Sequence, residues 1–246
     1  MSAPSAPPAV SIVIPCFNEQ DNIVALAAEV AAACAGRNFE IVVVDDASTD
    51  RSVAYLQEAR GSLGNSLRLI CHERNQGQSA SVCTGVDHAR APVIATLDGD
   101  GQNDPADIPR LLNALAGSPD PGRLIVCGHR RKRRDTWVKR WSSRIANAVR
   151  AAALGDDTPD TGCGLKVFER QLFQRLPRFN HMHRFLPALV RRAGGSSTSV
   201  EVNHRPRLHG QSKYGVANRL WVGIVDLCGL VWLQRRSFRG GGTEER

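Results

Sequence analysis

Apolar residues follow two alternating patterns along the first half of the chain. Short runs rich in β-branched residues, such as VSIVI at 10–14 and EIVVVD at 40–45, are each followed by longer stretches with apolar residues three and four positions apart. The runs LRLIC at 67–71 and PVIATLD at 92–98 continue this alternation. The order predicts βαβ units, and hence an α/β fold whose mostly parallel central sheet is covered by helices on both faces.

The second half of the chain is less regular. LIVCG at 124–128 and STSVEVN at 197–203 predict two further strands, and segments 130–152 and 181–193 predict helices. The stretch GDDTPDTGCGLKVF at 155–168 is predicted to be a loop. No internal repeat is visible, so the length of 246 residues indicates one large domain rather than an array of small ones.

The predicted domain is flanked by short segments. We expect a flexible tail at 1–9, the domain at 10–215, an apolar or amphipathic helix at 216–237 and a second flexible tail at 238–246. Within the helix, the run LWVGIVDLCGLVWL at 220–233 is shorter than the roughly 20 apolar residues that a spanning helix needs. Two interpretations stay open, a buried terminal helix and a helix that lies in the membrane interface.

The net charge of +8 is unevenly distributed. Residues 1–122 hold 7 Lys/Arg and 15 Asp/Glu, whereas residues 123–246 hold 25 and 9. A basic half of this size indicates a polyanionic partner: a nucleic acid, an anionic membrane surface or a phosphorylated substrate. The chain opens without a secretory signal pattern, so we expect a cytoplasmic protein. Its seven cysteines are scattered without a C-x-x-C pair, which favours buried free thiols.

Polar clusters follow the ends of the first four predicted strands. In chain order they read PCFNE, DDASTD, HERNQG and DGDGQND. Ligands of open α/β sheets bind outside the carboxyl ends of the strands, so the four clusters are predicted to line one crevice.

The last of these clusters carries the most specific chemistry. In ATLDGDGQNDP, Asp98 and Asp100 are two residues apart at the end of a strand, and Gln102 follows. Carboxylate and amide oxygens are the ligands that Mg²⁺ and Mn²⁺ prefer, so these three residues are candidate metal ligands. The remainder of the segment predicts a capped helix that begins at Pro105, and the two interpretations are compatible.

Seven motifs together resemble glycosyltransferase family 2, which has the GT-A fold. Within that family, the chain is similar to the polyprenyl-phosphate glycosyltransferases typified by dolichol-phosphate mannose synthase. The resemblance covers roughly residues 10–215. The motifs are SIVIPCFNE, EIVVVDDASTD, ERNQGQSAS, ATLDGDGQNDP, GHR at 128–130, DTGCGLKVF at 160–168 and RLHGQSKYG.

The resemblance implies a nucleotide-sugar site, with a UDP- or GDP-linked donor, in residues 10–122. The residues that match its nucleotide-binding loops are Pro15, Asn18, Glu19, Asp46, Asn75, Gly77 and Gln78. The D-x-D-x-Q element, at which Mg²⁺ or Mn²⁺ meets the donor diphosphate, corresponds to Asp98, Asp100 and Gln102. Asp160 and Gly162 match a loop near the sugar.

The resemblance implies an acceptor site in the basic residues 123–215. The positions near the acceptor-phosphate contacts are Arg130, Lys139, Arg140 and Ser143. The R-x-x-G-x-S-K signature, which meets phosphates, supplies Arg207, Ser212 and Lys213. Asp98, Asp100 and Lys213 are the residues expected to act in catalysis.

The activity implied by the family is a metal-dependent, inverting transfer of a sugar to undecaprenyl or dolichyl phosphate, for envelope glycan or glycolipid synthesis. Such an enzyme would be peripheral on the inner face of the membrane, at an anionic lipid surface, or would be partnered by a separate membrane protein. The Q-x-x-R-W element of processive polysaccharide synthases is absent, because WVKRW at 137–141 has Trp in the place of Gln.

Two other functions are compatible with parts of the sequence. A transferase that acts on a hydroxyl would need a carboxylate base, for which Asp156, Asp157 and Asp160 are the candidates. A basic binding module would use RRKRRDTWVKRW, but no aromatic-rich signature of RNA readers accompanies it, so no nucleic-acid partner is expected. His181 and His183 have no third ligand spaced to join them, and a role in a loop or at a helix start is expected.

Overall fold

The computed structural model describes residues 6–130, 155, 158–206 and 216–236, apart from the side chains of 216–222 and 224. The candidate bases Asp156 and Asp157 lie outside the described residues. So do six predicted acceptor-site residues, whose roles stay predictions: Lys139, Arg140, Ser143, Arg207, Ser212 and Lys213.

A seven-stranded sheet organises the described part of the chain. Its strands are β1 Val10–Cys16, β2 Phe39–Asp45, β3 Leu67–Cys71, β4 Val93–Thr96, β5 Leu124–Arg130, β6 Lys166–Glu169 and β7 Ser196–Val202. They lie in the order β3-β2-β1-β4-β6-β5-β7. Neighbouring strands are parallel except where β6 pairs with β4 and β5. The predicted α/β fold with a mostly parallel sheet is therefore confirmed.

Helices cover both faces of this sheet. They are α1 Ile23–Ala33, α2 Ser52–Leu63, α3 Gln78–His88, α4 Ile108–Ala116, α5 Arg170–Gln174 and α6 Leu186–Arg192. Ile12 and Ile14 of β1 share a buried cluster with apolar residues of α1, α2 and α4. The other face of β1 and β2 packs against α3, where Gly85 lies directly on Val13 and Val44. Successive strand residues point to opposite faces, which explains why the unbroken apolar runs are buried on both sides.

One predicted loop contains a central strand. The stretch 155–168 was expected to lack regular structure, but β6 begins at Lys166 and lies antiparallel between β4 and β5. The prediction was wrong there because four residues with a lysine and a glutamate at their ends show no readable alternation. Segment 181–193, predicted as one helix, is a 3-10 turn at Met182–Arg184 followed by α6.

The cysteines are less uniformly buried than predicted. All seven are free thiols, and Cys16, Cys34, Cys127 and Cys163 are buried. Cys83 is partly exposed, whereas Cys71 and Cys228 are exposed.

A buried carboxylate ties together the amino-terminal ends of β1 and β2. Glu40 is only 4% exposed and accepts hydrogen bonds from the Ser11 hydroxyl at 2.6 Å and from Arg68 at 2.9 Å. It also accepts the backbone N–H of Arg90 at 2.6 Å. Burial alone would raise the pKa of Glu40, but these hydrogen bonds together hold it below its ordinary value.

We expect Glu40→Ala to lower the free energy of unfolding by about 2–4 kcal/mol at pH 7, because it leaves buried donors without an acceptor. A carboxylate whose pKa is lowered in the folded state adds stability above its unfolded-state pKa, and this stability is lost as the pH falls through the folded-state value. The difference from the wild type should therefore shrink below about pH 4 in urea titrations. The exposed Glu58 is the control, and Glu58→Ala should change stability by less than about 0.5 kcal/mol.

A terminal helix, α7 Val216–Arg235, belongs to a second compact unit. Val225 and Trp232 on this helix are 53% and 60% exposed, whereas Leu230 is buried. The guanidinium of Arg236 lies 5.5 Å from the centre of the Trp232 ring. None of the helices within the described residues combines the length and the apolar character needed to span a bilayer. The domain boundaries predicted from the sequence stay predictions.

Candidate active site

The loops after β1 and β2 are bound to each other at the carboxyl edge of the sheet. Asn18 has a left-handed backbone, with φ of 54°, and its side-chain oxygen accepts the N–H of Thr49 at 2.8 Å. In return, the N–H of Asn18 donates to the Ser48 hydroxyl at 2.8 Å. The N–H of Glu19 donates to the hydroxyl of Ser52 at 3.0 Å. Asn18 and Glu19, two of the predicted nucleotide-binding residues, therefore also hold these two loops together.

Asp46 binds the loop that follows β3. This residue is 3% exposed, and its Oδ1 accepts the N–H of Gln76 at 2.9 Å and lies 2.7 Å from Nδ1 of His72. Its Oδ2 accepts the N–H of Gly77 at 2.8 Å. The side-chain amide of Asn75 donates to the backbone oxygen of Asp46 at 3.2 Å. The predicted neighbours Asp46, Asn75 and Gly77 are thus brought together, and most of the Asp46 carboxylate is occupied within the protein.

The two aspartates of the D-x-D-x-Q element follow β4. Asp98 Oδ1 accepts the side-chain amide of Gln78 at 2.7 Å, and Asp100 Oδ1 accepts the N–H of Gln102 at 3.1 Å. The pKa of Asp98 is raised to about 6, chiefly because burial disfavours its charge and secondly because Asp100 repels it. Pro15, near the end of β1, packs closely against this loop, since its carbonyl oxygen would lie 2.7 Å from a Cβ at Gly99.

Segment 160–166 covers the far side of Asp98. A Cβ added to Gly164 would lie 2.2 Å from the Asp98 carboxylate, so this backbone approaches the acid more closely than any other residue type permits. The Thr96 hydroxyl donates to the Gly164 carbonyl at 2.7 Å and fixes the segment in place. Lys166 is 3% exposed and donates to the carbonyl of Cys163. The positive charges of Lys166 and Arg130 oppose the rise in the pKa of Asp98.

Arg130 and Asp160 form a buried bidentate ion pair. The guanidinium donates from Nε to Oδ2 at 2.6 Å and from Nη2 to Oδ1 at 2.8 Å, and the two side chains are 12% and 7% exposed. Gly162 lies beside this pair, because a Cβ there would be 3.2 Å from Nη2 of Arg130. The sequence assigned Arg130 to the acceptor phosphate and Asp160 to the sugar loop. Their pairing connects these two predicted regions.

The segment after β7 is bound to the D-x-D-x-Q loop. The N–H of Arg205 donates to the Gln102 carbonyl at 2.9 Å, and His204 pairs with Asn103 in an antiparallel bridge. The Arg205 side chain donates to Asp104 at 2.7 Å, and Asp104 caps the helical turn at Pro105 as predicted. The R-x-x-G-x-S-K signature begins two residues after Arg205.

Sequence reasoning missed the contact between segment 180–184 and the start of α3. The Ser79 hydroxyl lies 2.7 Å from Nδ1 of His183, and it also accepts the N–H of His183 at 3.3 Å. Burial, and then the nearby Lys166, lower the pKa of His183 to about 3, so its ring is neutral at physiological pH. His183 lies on the 3-10 turn Met182–Arg184, and His181 immediately precedes it, in agreement with the predicted role in a loop or at a helix start.

The oxygen ligands at the end of β4 suit a hard divalent cation. Asp98 and Asp100 raise the local negative potential, and Gln102 adds an amide in the next turn. Across the described ranges, no three His, Cys, Asp or Glu side chains are gathered in a ready-made metal cluster. The predicted ligands, two carboxylates and one amide, are of the chemical type that Mg²⁺ or Mn²⁺ prefers, and Gln78 hydrogen-bonds one of them, Asp98.

Two curated relatives match most of this chain. The chain is 35% identical over 209 residues to the undecaprenyl-phosphate 4-deoxy-4-formamido-L-arabinose transferase of Edwardsiella ictaluri, covering 84% of this chain and 63% of that protein. It is also 35% identical over 237 residues to the dodecaprenyl-phosphate galacturonate synthase of Rhizobium johnstonii, covering 94% of this chain and 69% of the relative. The chain thus spans slightly under two thirds of the first relative and slightly more of the second.

A solved structure and a family model complete the comparison. Glucosyl-3-phosphoglycerate synthase from Mycobacterium tuberculosis, in complex with Mg²⁺ and UDP, superposes with a TM-score of 0.69 at 17% identity, over 90% of this chain and 80% of that one. This likeness confirms the GT-A fold. Residues 11–176 match the model for glycosyl transferase family 2. Together with the relatives at 35% identity, this match shows that the chain belongs to glycosyltransferase family 2.

Proposed function

We propose that the protein transfers a sugar from a nucleotide-sugar donor to a polyprenyl phosphate, with a divalent cation at Asp98, Asp100 and Gln102. The observation that carries the proposal is the binding of segment 203–205 to residues 102–107. The N–H of Asn203 donates to Asp107 at 2.7 Å, and the N–H of Arg205 donates to Gln102 at 2.9 Å. The segment that leads into the phosphate signature therefore begins beside the loop that would meet the donor diphosphate.

The donor side of the reaction needs positive charge. Breaking the bond between the sugar and the nucleotide leaves a diphosphate whose negative charge grows in the transition state. When bound, Mg²⁺ or Mn²⁺ would neutralise this charge. Asp98 and Asp100 would hold the ion, and Gln78 would orient Asp98 through its 2.7 Å hydrogen bond.

The acceptor side favours a phosphate over a hydroxyl. A phosphomonoester has a second pKa of about 6, is largely dianionic at neutral pH and needs no general base. A hydroxyl acceptor would need one, and both oxygens of Asp160 already accept hydrogen bonds from Arg130. The 25 Lys/Arg of residues 123–246 supply cations to dock a dianion. The step we propose is direct displacement at the anomeric carbon with inversion, which releases a nucleoside diphosphate.

The place of action we propose is the inner face of the membrane, where the protein would be peripheral. Both relatives are named for a polyprenyl phosphate, which is a membrane lipid. The exposed Val225 and Trp232 of α7, with Arg235 and Arg236 at the end of the helix, would suit an anionic lipid surface. A separate membrane protein is the alternative partner. We also propose that the catalytic domain ends near residue 215 and that this helix follows it.

The test is an acceptor and donor panel. Purified protein with Mg²⁺ or Mn²⁺ and undecaprenyl phosphate would be incubated with UDP- and GDP-sugars, including galacturonate and 4-deoxy-4-formamido-L-arabinose. We expect one donor to give a lipid-linked sugar, detected by mass, and EDTA to stop the reaction. A parallel arm offers the hydroxyl acceptor 3-phosphoglycerate. Transfer only in that arm would contradict a polyprenyl phosphate acceptor.

A further inference from the structure

The carboxylate of Asp46 is nearly saturated by bonds within the protein. A carboxylate has about four acceptor positions. Oδ1 uses two of them, for Gln76 and His72, and Oδ2 uses one, for Gly77. The other ring nitrogen of His72, Nε2, lies 3.0 Å from the Thr84 hydroxyl, so the ring that contacts Asp46 is itself held on α3. One acceptor position therefore remains on a residue that is 3% exposed, which leaves little capacity for a ligand.

The bonds of Asp46 determine where α3 begins. Gly77, whose N–H binds Asp46, has a φ of 88°, in the region that favours glycine, and it immediately precedes the first residue of α3. On the other side of the same turn, Ser79 lies 2.7 Å from His183. The first turn of α3 is therefore held from two directions by buried or partly buried groups.

Gln78, the first residue of α3, connects this turn to the cation loop. Its side chain is exposed, and Nε2 donates to Oδ1 of Asp98 at 2.7 Å. Because Gln78 begins α3, the position of the first turn of the helix sets the reach of this amide to Asp98. A continuous series of contacts thus runs from Asp46 through Gly77 and Gln78 to Asp98.

We infer that Asp46 and Gln78 are positioning residues for Asp98. Asp46 fixes loop 72–77, and Gln78, placed by that loop, holds the Asp98 carboxylate in the orientation in which it meets the cation. The inference deepens the proposed function and rests on its cation site. It differs from the role that the family resemblance implies for Asp46 and Gln78, which is contact with the base or ribose of the donor.

The two roles predict different binding losses. Partners of a metal ligand typically change metal affinity 10- to 100-fold when they are removed. If Asp46 and Gln78 position Asp98, their variants should bind Mn²⁺ at least about 10-fold more weakly in the presence of UDP. Their affinity for UDP without a cation should stay within about twofold of the wild type. Direct contact with the base would give the reverse pattern.

A double-variant cycle tests the connection between the two residues. Mn²⁺ would be titrated by electron paramagnetic resonance of the free ion against UDP-saturated wild type, Gln78→Ala, Asp46→Asn and the double variant. UDP without a cation would be titrated by calorimetry. We expect the double variant to bind Mn²⁺ no more weakly than Gln78→Ala alone, because Asp46 acts through the hydrogen bond from Gln78 to Asp98, which that variant already lacks. Gln57→Ala, at an exposed glutamine of α2, is the matched control and should bind like the wild type.

Each outcome bears on the inference. Additive losses, or a loss of UDP affinity with Mn²⁺ affinity unchanged, would overturn it. If Asp46→Asn does not fold, the exposed Gln78 still decides, since unchanged Mn²⁺ affinity in Gln78→Ala contradicts the inference. Asp100→Ala reports on the cation site itself. If Asp100→Ala loses Mn²⁺ binding and Gln78→Ala binds Mn²⁺ like the wild type, only the positioning role is rejected. If the wild type itself binds no Mn²⁺, the cation site is rejected as well. These titrations use no sugar or lipid, so their result can be interpreted even if the sugar-transfer assay yields no product.

Discussion

Replacing Asp100 with alanine should abolish sugar transfer, with kcat falling about 10³-fold or more, which corresponds to about 4 kcal/mol of transition-state stabilisation. The reason is electrostatic. Asp98 and Asp100 crowd two carboxylates at the end of β4, and the repulsion from Asp100 contributes to the raised pKa of Asp98. Removing one of them halves the negative charge that would hold a divalent cation against the donor diphosphate. The donor would still bind through its nucleotide base.

The fold of this variant should be retained. Asp100 is partly exposed, and its Oδ1 accepts the N–H of Gln102, two residues along the turn, at 3.1 Å. Thermal unfolding should therefore shift by only a few degrees, while kcat and Mn²⁺ affinity collapse. Asp104→Asn is the matched control, since Asp104 is in the same loop but caps the turn at Pro105 and binds Arg205. That variant should keep most activity, and full turnover by Asp100→Ala would reject the proposed cation site.

Much of the architecture could be predicted because burial leaves a local pattern. Strands β1, β2 and β4 are largely apolar runs, and the structure buries nearly all of their residues, whereas β3, at the edge of the sheet, is only partly buried. The polar clusters after them are brought together because parallel strands place their carboxyl ends at one edge. This is why Asn18, Asp46, Gln78 and Asp98, drawn from four separate motifs, lie along one crevice.

Partner choice between distant segments could not be predicted. Arg130 and Asp160 are 30 residues apart and were assigned to different substrates, yet they bind each other at 2.6 Å. Gln78 was assigned to the donor site, and its hydrogen bond to Asp98 was not foreseen. Such pairings depend on the order of the strands in the sheet. The position of β6 between β4 and β5 is set by contacts with distant residues, which its own four-residue sequence does not reveal. One signal was available, since Lys166 beside Val167 and Phe168 is an unusual charge for an apolar strand.

Gly164→Ala should reduce transfer about 100-fold or more, although it adds only one methyl group. The new Cβ would lie 2.2 Å from Cγ and Oδ2 of Asp98, far inside van der Waals contact. Segment 160–166 cannot simply retreat, because the Thr96 hydroxyl holds the Gly164 carbonyl at 2.7 Å and Lys166 is buried in β6. The Asp98 carboxylate must therefore shift away from Gly164, out of the position in which it would meet the cation.

Comparison with a second glycine separates this effect from a general loss of stability. Overpacking at Gly164 should lower the free energy of unfolding by about 1–3 kcal/mol. Gly61 of α2 has nothing within 4 Å of an added Cβ, so Gly61→Ala should leave kcat unchanged and raise stability by up to about 1 kcal/mol. Measuring kcat, KM and Mn²⁺ affinity for folded Gly164→Ala then isolates the position of Asp98. Wild-type kcat in that variant would mean that the reaction tolerates a displaced Asp98, and the carboxylate would lose its assigned role as a cation ligand.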